Sequence, residues 1–306
     1  MTITLYENFR AIFYTPFYLV HALGAFEAEG VDVEMSLAPV QPQVGADVIA
    51  GRVDVAWGGP MRVMVHHDEA PNCGLVSFCE AVRRDPFILV GRTPKPDFAL
   101  SDLKTTRLGS VSEVPTPWMC LQEDVRQAGI DPATLPRVGD RTMPQNVAAL
   151  RAGELDVVQL FQPYAEELLA DGTGHLWYAQ ATRGLCSYTT YNALRRTVET
   201  KGDALYRMTR AMYRTQKWLA AADTTAVVGA LRPFFSELPM EILTASVQRY
   251  RDLGIWSTDP VMQPQGFTRL RRSLLTGGLI KYAPDYDGAV DMRFAHQVVR
   301  EDPPSM

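Results

Sequence analysis

The sequence contains no run of 18 apolar residues, so no segment is expected to cross a membrane as a helix. Its first residues, MTITLYENF, lack the basic stretch followed by an apolar stretch that marks a secretory leader. They alternate between apolar and polar side chains, which is typical of a strand. The chain as written therefore has no export signal, and the cytoplasm is the expected compartment if this is the full native chain.

Cysteine pairs are also lacking. The four cysteines, Cys73, Cys79, Cys120 and Cys186, form no CxxC pair and have no histidine partner at zinc-site spacing. A disulfide framework is not indicated, and no metal site is predicted. Cys79 lies in the apolar run GLVSFCEAV, where a small buried side chain is the expected role.

A strong charge of either sign is absent as well. The formal net charge of the 306 residues is -5. Basic pairs such as Arg83-Arg84 and Arg271-Arg272 are scattered and lie near acidic residues, as is typical of a solvated surface. Nothing here favours nucleic acid or an anionic membrane surface as a partner.

One pattern occurs twice in the chain. AGRVDVAWGGP spans residues 50–60, and AGELDVVQLFQP spans residues 152–163. In each copy a helix is predicted to end on glycine, which adopts a left-handed C-terminal cap without steric strain. An aspartate then precedes a buried strand, and a proline begins the next helix. The pattern indicates two α/β units of related design in tandem, and chance repetition of a common turn is the alternative.

Short apolar or β-branched runs alternate with helical patterns up to Tyr191. Strand-helix-strand alternation with short links predicts parallel pairing in an α/β sheet. A first helix is predicted from Pro16 to about Ala22, with Thr15 as its N-cap, and GAFEAEG is predicted to break it. The other predicted helices are GADVIAG, PMRVMVHHDEA, PTPWMCLQEDVRQAG, PQNVAALRAG and PYAEELLADG. The predicted strands are ITLYENF, VDVEMSL, VDVAW, CGLVSFCEAV, RLGSV, RVGD and LDVVQLF.

Beyond Tyr191 the predicted elements are helices only. DALYRMTRAMYRTQKWLAAAD places Leu205, Met208, Met212 and Leu219 on one face, as an amphipathic helix does. PMEILTASVQRYRDLG and QGFTRLRRSLLTGG show similar apolar stripes. Stripes of this kind are expected to pack into a core.

The order of these pieces resembles one family of binding proteins. The segments that carry the resemblance are TPFYLVHALGAFEAEGVDVEM, VIAGRVDVAWGG, DPFILVGR, LSDLKTTRLGSV, AALRAGELDVVQLFQPYAEEL and LGIWSTDPVMQPQGFTRLRRSLLTGGLI. Together they resemble the substrate-binding proteins of ABC importers for nitrate, alkanesulfonates and thiamine pyrimidine precursors, including fungal pyrimidine-synthesising relatives. The ordered set covers nearly the whole chain and is specific for the family, but it does not specify the ligand.

The resemblance implies an α/β fold of the type II periplasmic-binding-protein kind. Two lobes are expected, with a ligand cleft between them and an all-helical C-terminal part packed on lobe one. The chain should cross between lobes near residues 80–86 and 186–191. This assigns residues 1–82 and 190–306 to lobe one and residues 83–189 to lobe two.

Candidate cleft residues follow from the predicted strand ends. Ligands of open α/β sheets bind beyond the carboxyl ends of strands, where helix N-termini present unpaired N–H groups. The candidates on lobe one are Asn8, Phe9, Tyr14, Thr15, Pro16, Tyr18, Trp57, Gly58, Gly59 and Glu80. The candidates on lobe two and on the return crossing are Ser110, Ser112, Thr116, Gln162 and Tyr188.

Several of these residues also have a purely structural explanation. Trp57 could stack on a planar ligand or lie in the core. Glu80 could face a ligand or pair with a neighbouring arginine at the surface. Ser112 and Thr116 could contact a ligand or cap a helix.

Two ligand classes remain open at this point. A sulfonate needs hydroxyls, N–H groups or an arginine around its three oxygens, and SVSEVPT could supply several of these donors. An aminopyrimidine needs an aromatic sandwich and a carboxylate, which Trp57, Phe9, Tyr14, Tyr18 and Glu80 could supply. The aromatic strand ends favour a planar heterocycle or another aromatic ligand by a small margin.

An enzyme built on the same fold is the main alternative function. The fungal relatives use pyridoxal phosphate with a lysine, a histidine and a cysteine-rich patch. Here VAWGGPMRV has neither lysine nor histidine, and GLCSYTTY has only Cys186. No lysine lies at a predicted strand end to form a Schiff base, so neither a cofactor nor catalysis is expected. A regulatory protein of this fold would carry an N-terminal helix-turn-helix, whereas here a strand begins at residue 3.

The resemblance also implies the partners. A monomer is expected that binds a small molecule and delivers it to the membrane component of an ABC transporter. The family is periplasmic, which would require a leader that the sequence as given does not show.

Overall fold

The computed structural model describes residues 2–306, which form a mixed α/β structure with two five-stranded sheets. The strands are β1 (Thr2–Glu7), β2 (Asp32–Leu37), β3 (Val55–Gly58), β4 (Leu75–Val82), β5 (Ile88–Gly91), β6 (Leu108–Val111), β7 (Arg137–Arg141), β8 (Val157–Leu160), β9 (His175–Ala179) and β10 (Thr189–Leu194). The first sheet has the order β2-β1-β3-β10-β4, and the second has the order β7-β6-β8-β5-β9.

Fourteen α-helices surround the sheets in the part of the chain just given. They are α1 (Thr15–Ala22), α2 (Ala25–Ala28), α3 (Val44–Ile49), α4 (Pro60–Glu69), α5 (Thr116–Gln127), α6 (Met143–Arg151), α7 (Tyr164–Ala170), α8 (Arg195–Thr200), α9 (Gly202–Ala221), α10 (Thr224–Leu231), α11 (Met240–Asp252), α12 (Pro264–Thr276), α13 (Tyr286–Ala289) and α14 (Arg293–Glu301). Among residues 2–306, none of the helices combines the length and apolar character needed to cross a bilayer.

Each sheet combines parallel and antiparallel pairs. Strand β1 pairs in parallel with β2 and β3, and β6 pairs in parallel with β7 and β8, as the strand-helix-strand alternation predicts. Strand β10 is antiparallel to β3 and β4, and β5 is antiparallel to β8 and β9. The antiparallel pairs were not predicted, because β5, β9 and β10 were not predicted as strands.

The chain passes from one sheet to the other twice. It leaves the first sheet after Val82 and enters the second at Ile88, and it returns between Ala179 and Thr189. The two sheets are the centres of two lobes, here called the first and second lobe after their sheets. The residue limits of the lobes given above stay a prediction.

The two copies of the repeated pattern have the same local design. Gly51 and Gly153 have φ values of 72° and 73°, in the left-handed region where a side chain is strained. Asp54 accepts a hydrogen bond from the Thr4 backbone N–H in β1 at 3.0 Å. Asp156 likewise accepts one from the Arg107 backbone N–H, next to β6, at 2.9 Å. In each lobe, this aspartate ties the start of one strand to its parallel neighbour.

The first helices differ in detail from the expectation. Helix α1 begins at Thr15 itself and its N-cap is Tyr14, so the predicted capping role of Thr15 is wrong. The Thr15 hydroxyl donates to the Ile12 carbonyl instead, at 2.7 Å. The segment predicted as a break contains α2, which begins after Gly24 at φ 63°.

The C-terminal helices pack on the first lobe, as predicted, and two of them also reach the second lobe. Helix α9 packs against α1, α2 and β4, and α14 packs against α9 and β4. Arg272 of α12 forms an ion pair with Glu123 of α5 at 2.8 Å. Arg249 of α11 pairs with Glu166 of α7. These helices therefore connect the lobes outside the two crossings.

Candidate ligand-binding site

A small pocket lies where the two lobes face each other. It offers about 30 Å³ to water, which is room for about one or two molecules. Its walls combine aromatic rings with a few polar side chains. The lining residues are Asn8, Phe9, Phe13, Tyr14, Gly59, Met61, Arg62, Phe87, Val114, Thr116, Tyr188 and Thr189.

Strand ends of the first lobe position most of this wall. The segment after β1 brings Asn8 and Phe9 to the pocket, and the 3₁₀ turn at Ile12–Tyr14 brings Phe13 and Tyr14. Strand β3 ends at Gly58, and α4 begins at Pro60, so Arg62 falls in the first turn of α4. Helix starts at the carboxyl ends of parallel strands are the usual place for ligands in this kind of sheet.

Aromatic contacts join the lobes around this pocket. Phe161 follows β8 of the second lobe, and its ring lies 5.3 Å from Phe13 in an edge-to-face arrangement and 6.1 Å from Phe9 in a stacked one. Phe87 on the first crossing lies 5.3 Å from Phe161. These distances fall in the range in which aromatic pairs attract one another. The two lobes are therefore in direct contact through aromatic side chains beside this pocket.

Arg62 is the charged residue of the pocket wall. Its side chain is half-buried and has no hydrogen bond or ion pair with any group that the structure describes. Burial lowers the pKa of the Arg62 guanidinium from its ordinary value, although Tyr14 works in the opposite direction. The Arg62 guanidinium has no counter-charge among the described residues, so it would stabilise an anion in the pocket.

Three further buried polar atoms, on residues that line the pocket, lack protein partners. They are the Asn8 amide oxygen, the Tyr188 hydroxyl and the Thr189 hydroxyl, and each is buried without a hydrogen bond in the described chain. Buried polar atoms in native proteins nearly always have a partner. The two hydroxyls can donate to an anion, and the Asn8 oxygen can accept from a donor on the same molecule.

Of the candidate residues taken from the sequence, the pocket brings some together and leaves others out. Those that line it are Asn8, Phe9, Tyr14, Gly59, Thr116 and Tyr188. Those that do not are Thr15, Pro16, Tyr18, Trp57, Gly58, Glu80, Ser110, Ser112 and Gln162.

Trp57 lies in the core of the first lobe, not on the pocket wall. Its side chain is fully buried and stacks on Phe17 of α1, with ring centroids 4.9 Å apart. Alternation along β3 turns Trp57 towards α1, where Tyr18 also packs edge-to-face against it. This geometry favours the core role of Trp57, because a fully buried ring cannot stack on a ligand.

The candidate residues in α1 also lie in the core and not on the pocket wall. Thr15, Pro16 and Tyr18 are buried in α1. The Tyr18 hydroxyl donates to Glu7 at 2.8 Å, and Glu7 in turn accepts from Arg10. Tyr18 therefore supports the segment that carries Phe9 and Phe13 and does not itself reach the pocket.

Glu80 faces the C-terminal segment and not the pocket. Its carboxylate accepts from the Ser257 hydroxyl at 3.3 Å. Burial raises the pKa of Glu80 to about 8, while hydrogen bonds from Ser187 and Ser257 oppose that rise. The carboxylate that an aminopyrimidine would need is thus not in the pocket wall.

The second-lobe candidates Ser110 and Ser112 are used elsewhere. The Ser110 hydroxyl accepts from Arg137 at 2.6 Å, and its carbonyl accepts from Asn146 at 3.1 Å. Ser112 is exposed, and its backbone N–H donates to the Arg141 carbonyl. Both residues support β6 and its neighbours.

Gln162 also turns inward. Its amide donates to Glu166 at 3.0 Å and accepts from the Glu166 backbone N–H at 2.9 Å, while its own backbone N–H donates to the Tyr250 hydroxyl. Gly58 is buried directly behind Arg62: a Cβ at Gly58 would lie 3.5 Å from the Arg62 Cδ. Gly58 therefore makes room for the arginine and lies beside the pocket without lining it.

Sequence reasoning missed six lining residues: Phe13, Met61, Arg62, Phe87, Val114 and Thr189. The signal for Arg62 was present, because it lies two residues after the proline that begins a helix at a strand end. Phe87 and Thr189 lie at the two crossings, where no helix or strand was predicted. Among residues 2–306, no group of three histidine, cysteine or acidic side chains could hold a metal ion.

Comparisons with known proteins agree with this architecture. Residues 10–231 match the model of the NMT1-like family. The protein named "Putative binding protein YtlA" from Bacillus subtilis (strain 168) is 23% identical over 303 residues, which cover 96% of this chain and 89% of that protein.

Solved structures share the fold at low sequence identity. The periplasmic aliphatic sulphonate binding protein SsuA from Escherichia coli superposes with a TM-score of 0.74 and 16% identity, over 93% of this chain and 95% of that chain. The desulfurization enzyme DSZB superposes with a TM-score of 0.71 and 14% identity, over 99% of both chains. At this identity the likeness shows a shared two-lobed fold.

Proposed function

We propose that this chain, which belongs to the NMT1-like family, is a solute-binding protein that captures a small organic anion with an aromatic body between its two lobes. The family and most of the structural neighbours are binding proteins, and the chain is assigned to that class and not to the enzymes. The proposal concerns which solute the pocket takes and how it holds it.

The observation that carries the proposal is the unpaired guanidinium of Arg62 in the wall of an aromatic pocket. An arginine can donate two parallel hydrogen bonds to a sulfonate or a carboxylate. Tyr188 and Thr189 belong to the same wall, and their buried hydroxyls have no partner among the described residues and offer two further donors. This donor set fits a sulfonate or carboxylate group.

The rest of the wall selects the body of the ligand. Phe9, Phe13, Tyr14 and Phe87 surround the polar groups with ring faces and edges. An aryl sulfonate or an aromatic carboxylate would place its charged group at Arg62 and its ring among these side chains. An aminopyrimidine is the weaker candidate, because Glu80 lies outside the wall. The sulphonate-binding SsuA shares the fold and is compatible with this choice.

Ligand entry requires the lobes to separate. The pocket is too small for an aromatic anion while Phe161 packs against Phe9 and Phe13. We infer an opening motion about the two crossings, followed by closure around the ligand. Closure is favoured by the ligand because only the closed form lets both lobes contact it.

Catalysis is not supported by the pocket. No lysine, histidine or cysteine lines it, so it offers neither a Schiff-base amine nor a thiolate. The proposed role is capture and delivery of the solute to the membrane component of an ABC importer, which for a periplasmic route requires export of the chain.

The test is a calorimetric titration in a buffer without sulfonates, comparing benzenesulfonate and benzoate with uncharged benzamide. Both anions should bind and benzamide should not. Arg62→Gln should weaken anion binding by about ten- to a hundredfold, the loss expected for one charge-assisted contact. Arg300→Gln is the matched control, because Arg300 is exposed at the end of α14. Equal binding of benzamide, or unchanged anion binding in Arg62→Gln, would overturn the proposal.

A further inference from the structure

A second cavity lies outside the cleft, between the first crossing and the C-terminal helices. It offers about 160 Å³ to water, several times the space in the aromatic pocket. Its walls come from Arg83 on the crossing, from the C-terminal half of α9, and from the end of α11 with the segment that follows it. The lining residues are Arg83, Gln216, Leu219, Ala220, Arg251, Gly254, Trp256, Ser257 and Thr258.

Two arginines in this wall have no acidic partner. Neither Arg83 nor Arg251 forms an ion pair with any of residues 2–306, and within that range their two side chains make one hydrogen bond, from Arg83 to the Thr258 hydroxyl at 3.2 Å. The Arg83 Nε and the Arg251 Nη1 are buried without any acceptor. Both side chains line one cavity and each has a buried donor without an acceptor, so an anion in this cavity would supply acceptors for both.

Gln216 adds an acceptor to the same wall. It is 1% exposed, and its side-chain N–H₂ donates to the Glu80 backbone carbonyl at 2.8 Å. That contact fixes the amide orientation, so the free Oε1 must accept. This oxygen is buried without a partner. The occupant should therefore combine a negative charge for the arginines with a hydrogen-bond donor for Gln216.

We propose that this cavity is a second binding site, which takes a small oxyanion that retains a hydroxyl hydrogen, such as hydrogen phosphate. Its oxygens accept from Arg83 and Arg251, and its hydroxyl donates to Gln216. The cavity is large enough for such an ion with some of its water. Sulfate has the same shape and charge type but carries no proton at neutral pH, so its oxygens would face the Gln216 oxygen without a hydrogen bond.

The site is connected to both the crossing and the cleft. The Arg83 backbone N–H donates to the Ile255 carbonyl at 2.9 Å. The Trp256 indole N–H donates to the carbonyl of Phe13, a residue of the aromatic pocket, at 2.9 Å. An anion held here stabilises the contact between the first crossing and the segment after α11.

The experiment is calorimetric titration of the full chain with inorganic phosphate and, separately, inorganic sulfate in Tris-chloride at neutral pH. Phosphate should bind saturably, and sulfate should bind at least about tenfold more weakly, since an unsatisfied acceptor costs more than about 1.4 kcal/mol. Arg251→Gln should weaken phosphate binding by about tenfold or more. Arg300→Gln, at an exposed position of α14, should leave phosphate binding unchanged.

Gln216→Met tests the acceptor separately, and it should remove most of the preference for phosphate over sulfate. If that variant does not fold, as judged by circular dichroism, the Arg251→Gln and sulfate results decide. Absence of saturable phosphate binding, equal affinity for sulfate in the parent chain, or unchanged phosphate affinity in Arg251→Gln would each refute the second site.

Discussion

Phe13 and Phe161 come from opposite lobes, and their rings meet edge-to-face with centroids 5.3 Å apart. Phe161 also contacts Phe9 and Phe87, so one second-lobe side chain is held by three rings from the first lobe and the crossing. Such pairs contribute about 0.5–1.5 kcal/mol each beyond the area they bury. Phe161 therefore contributes to the contact between the two lobes.

Phe161→Ala should open the ligand-free protein. Removing the ring deletes the aromatic contacts that bring the lobes together, while leaving the sheet of the second lobe intact. Small-angle X-ray scattering should show a larger radius of gyration for the variant than for the parent chain. Phe98→Ala is the control, because Phe98 packs against Trp177 within the second lobe. The same radius in Phe161→Ala as in the parent would contradict this role.

How much of the fold could be predicted from the sequence depends on whether an element has a local sequence pattern. The parallel β-helix-β units and the helical C-terminal part were predicted, because their periodicity and capping residues are local. Strand β10 was not: its six residues, TTYNAL, are all buried and include polar side chains, so they show no alternation. It is placed by pairing with β3 and β4, which lie more than a hundred residues away in the chain.

The same distinction holds at the candidate site. Asn8, Phe9, Tyr14 and Gly59 follow strands or begin helices, and the rule about strand ends found them. Trp57 was placed wrongly because the sequence cannot show which face of β3 meets α1. The free guanidinium of Arg62 could not be inferred, because having no acidic partner is a property of the whole fold.

Replacement of Gly59 by alanine should destabilise the protein more than replacement of Gly58. A Cβ at Gly59 would lie 3.1 Å from the Tyr188 carbonyl, a backbone atom that cannot turn away. A Cβ at Gly58 would lie 3.5 Å or more from its nearest neighbours, in ordinary contact. Gly59→Ala should lower the free energy of unfolding by about 1–3 kcal/mol, and Gly58→Ala should change it by less. Urea denaturation of both variants measures the difference, and equal stability would contradict it.

Glu80 should make the protein less stable as the pH rises. Burial raises its pKa to about 8 in the folded state, above the ordinary value of 4.5. The folded state therefore keeps a proton that the unfolded state releases, and this contribution is complete below pH 4.5. It is lost progressively as the pH rises towards about 8.

Glu80→Gln should flatten that dependence, because the amide has no proton to lose. Urea unfolding at pH 5.5, 7 and 8.5 measures it, with Glu241→Gln as the control, since Glu241 is exposed in the first turn of α11. The assignment would be wrong if the parent chain and Glu80→Gln lost stability in parallel over this range.

Gln162→Ala should destabilise the protein and spare its affinity for aromatic anions. The Gln162 side chain exchanges two hydrogen bonds with Glu166, and Glu166 pairs with Arg249 of α11. Truncation leaves the Glu166 backbone N–H buried without a partner and loosens a link between the second lobe and the C-terminal helices. The expected loss is about 1–3 kcal/mol of unfolding free energy.

Urea denaturation measures this loss beside Gln127→Ala, whose exposed side chain bonds only Glu123. Benzenesulfonate titration of the same variants should give dissociation constants within about twofold of the parent, since Gln162 does not line the pocket. A variant of unchanged stability with a large loss of benzenesulfonate affinity would instead place Gln162 among the residues that bind the ligand.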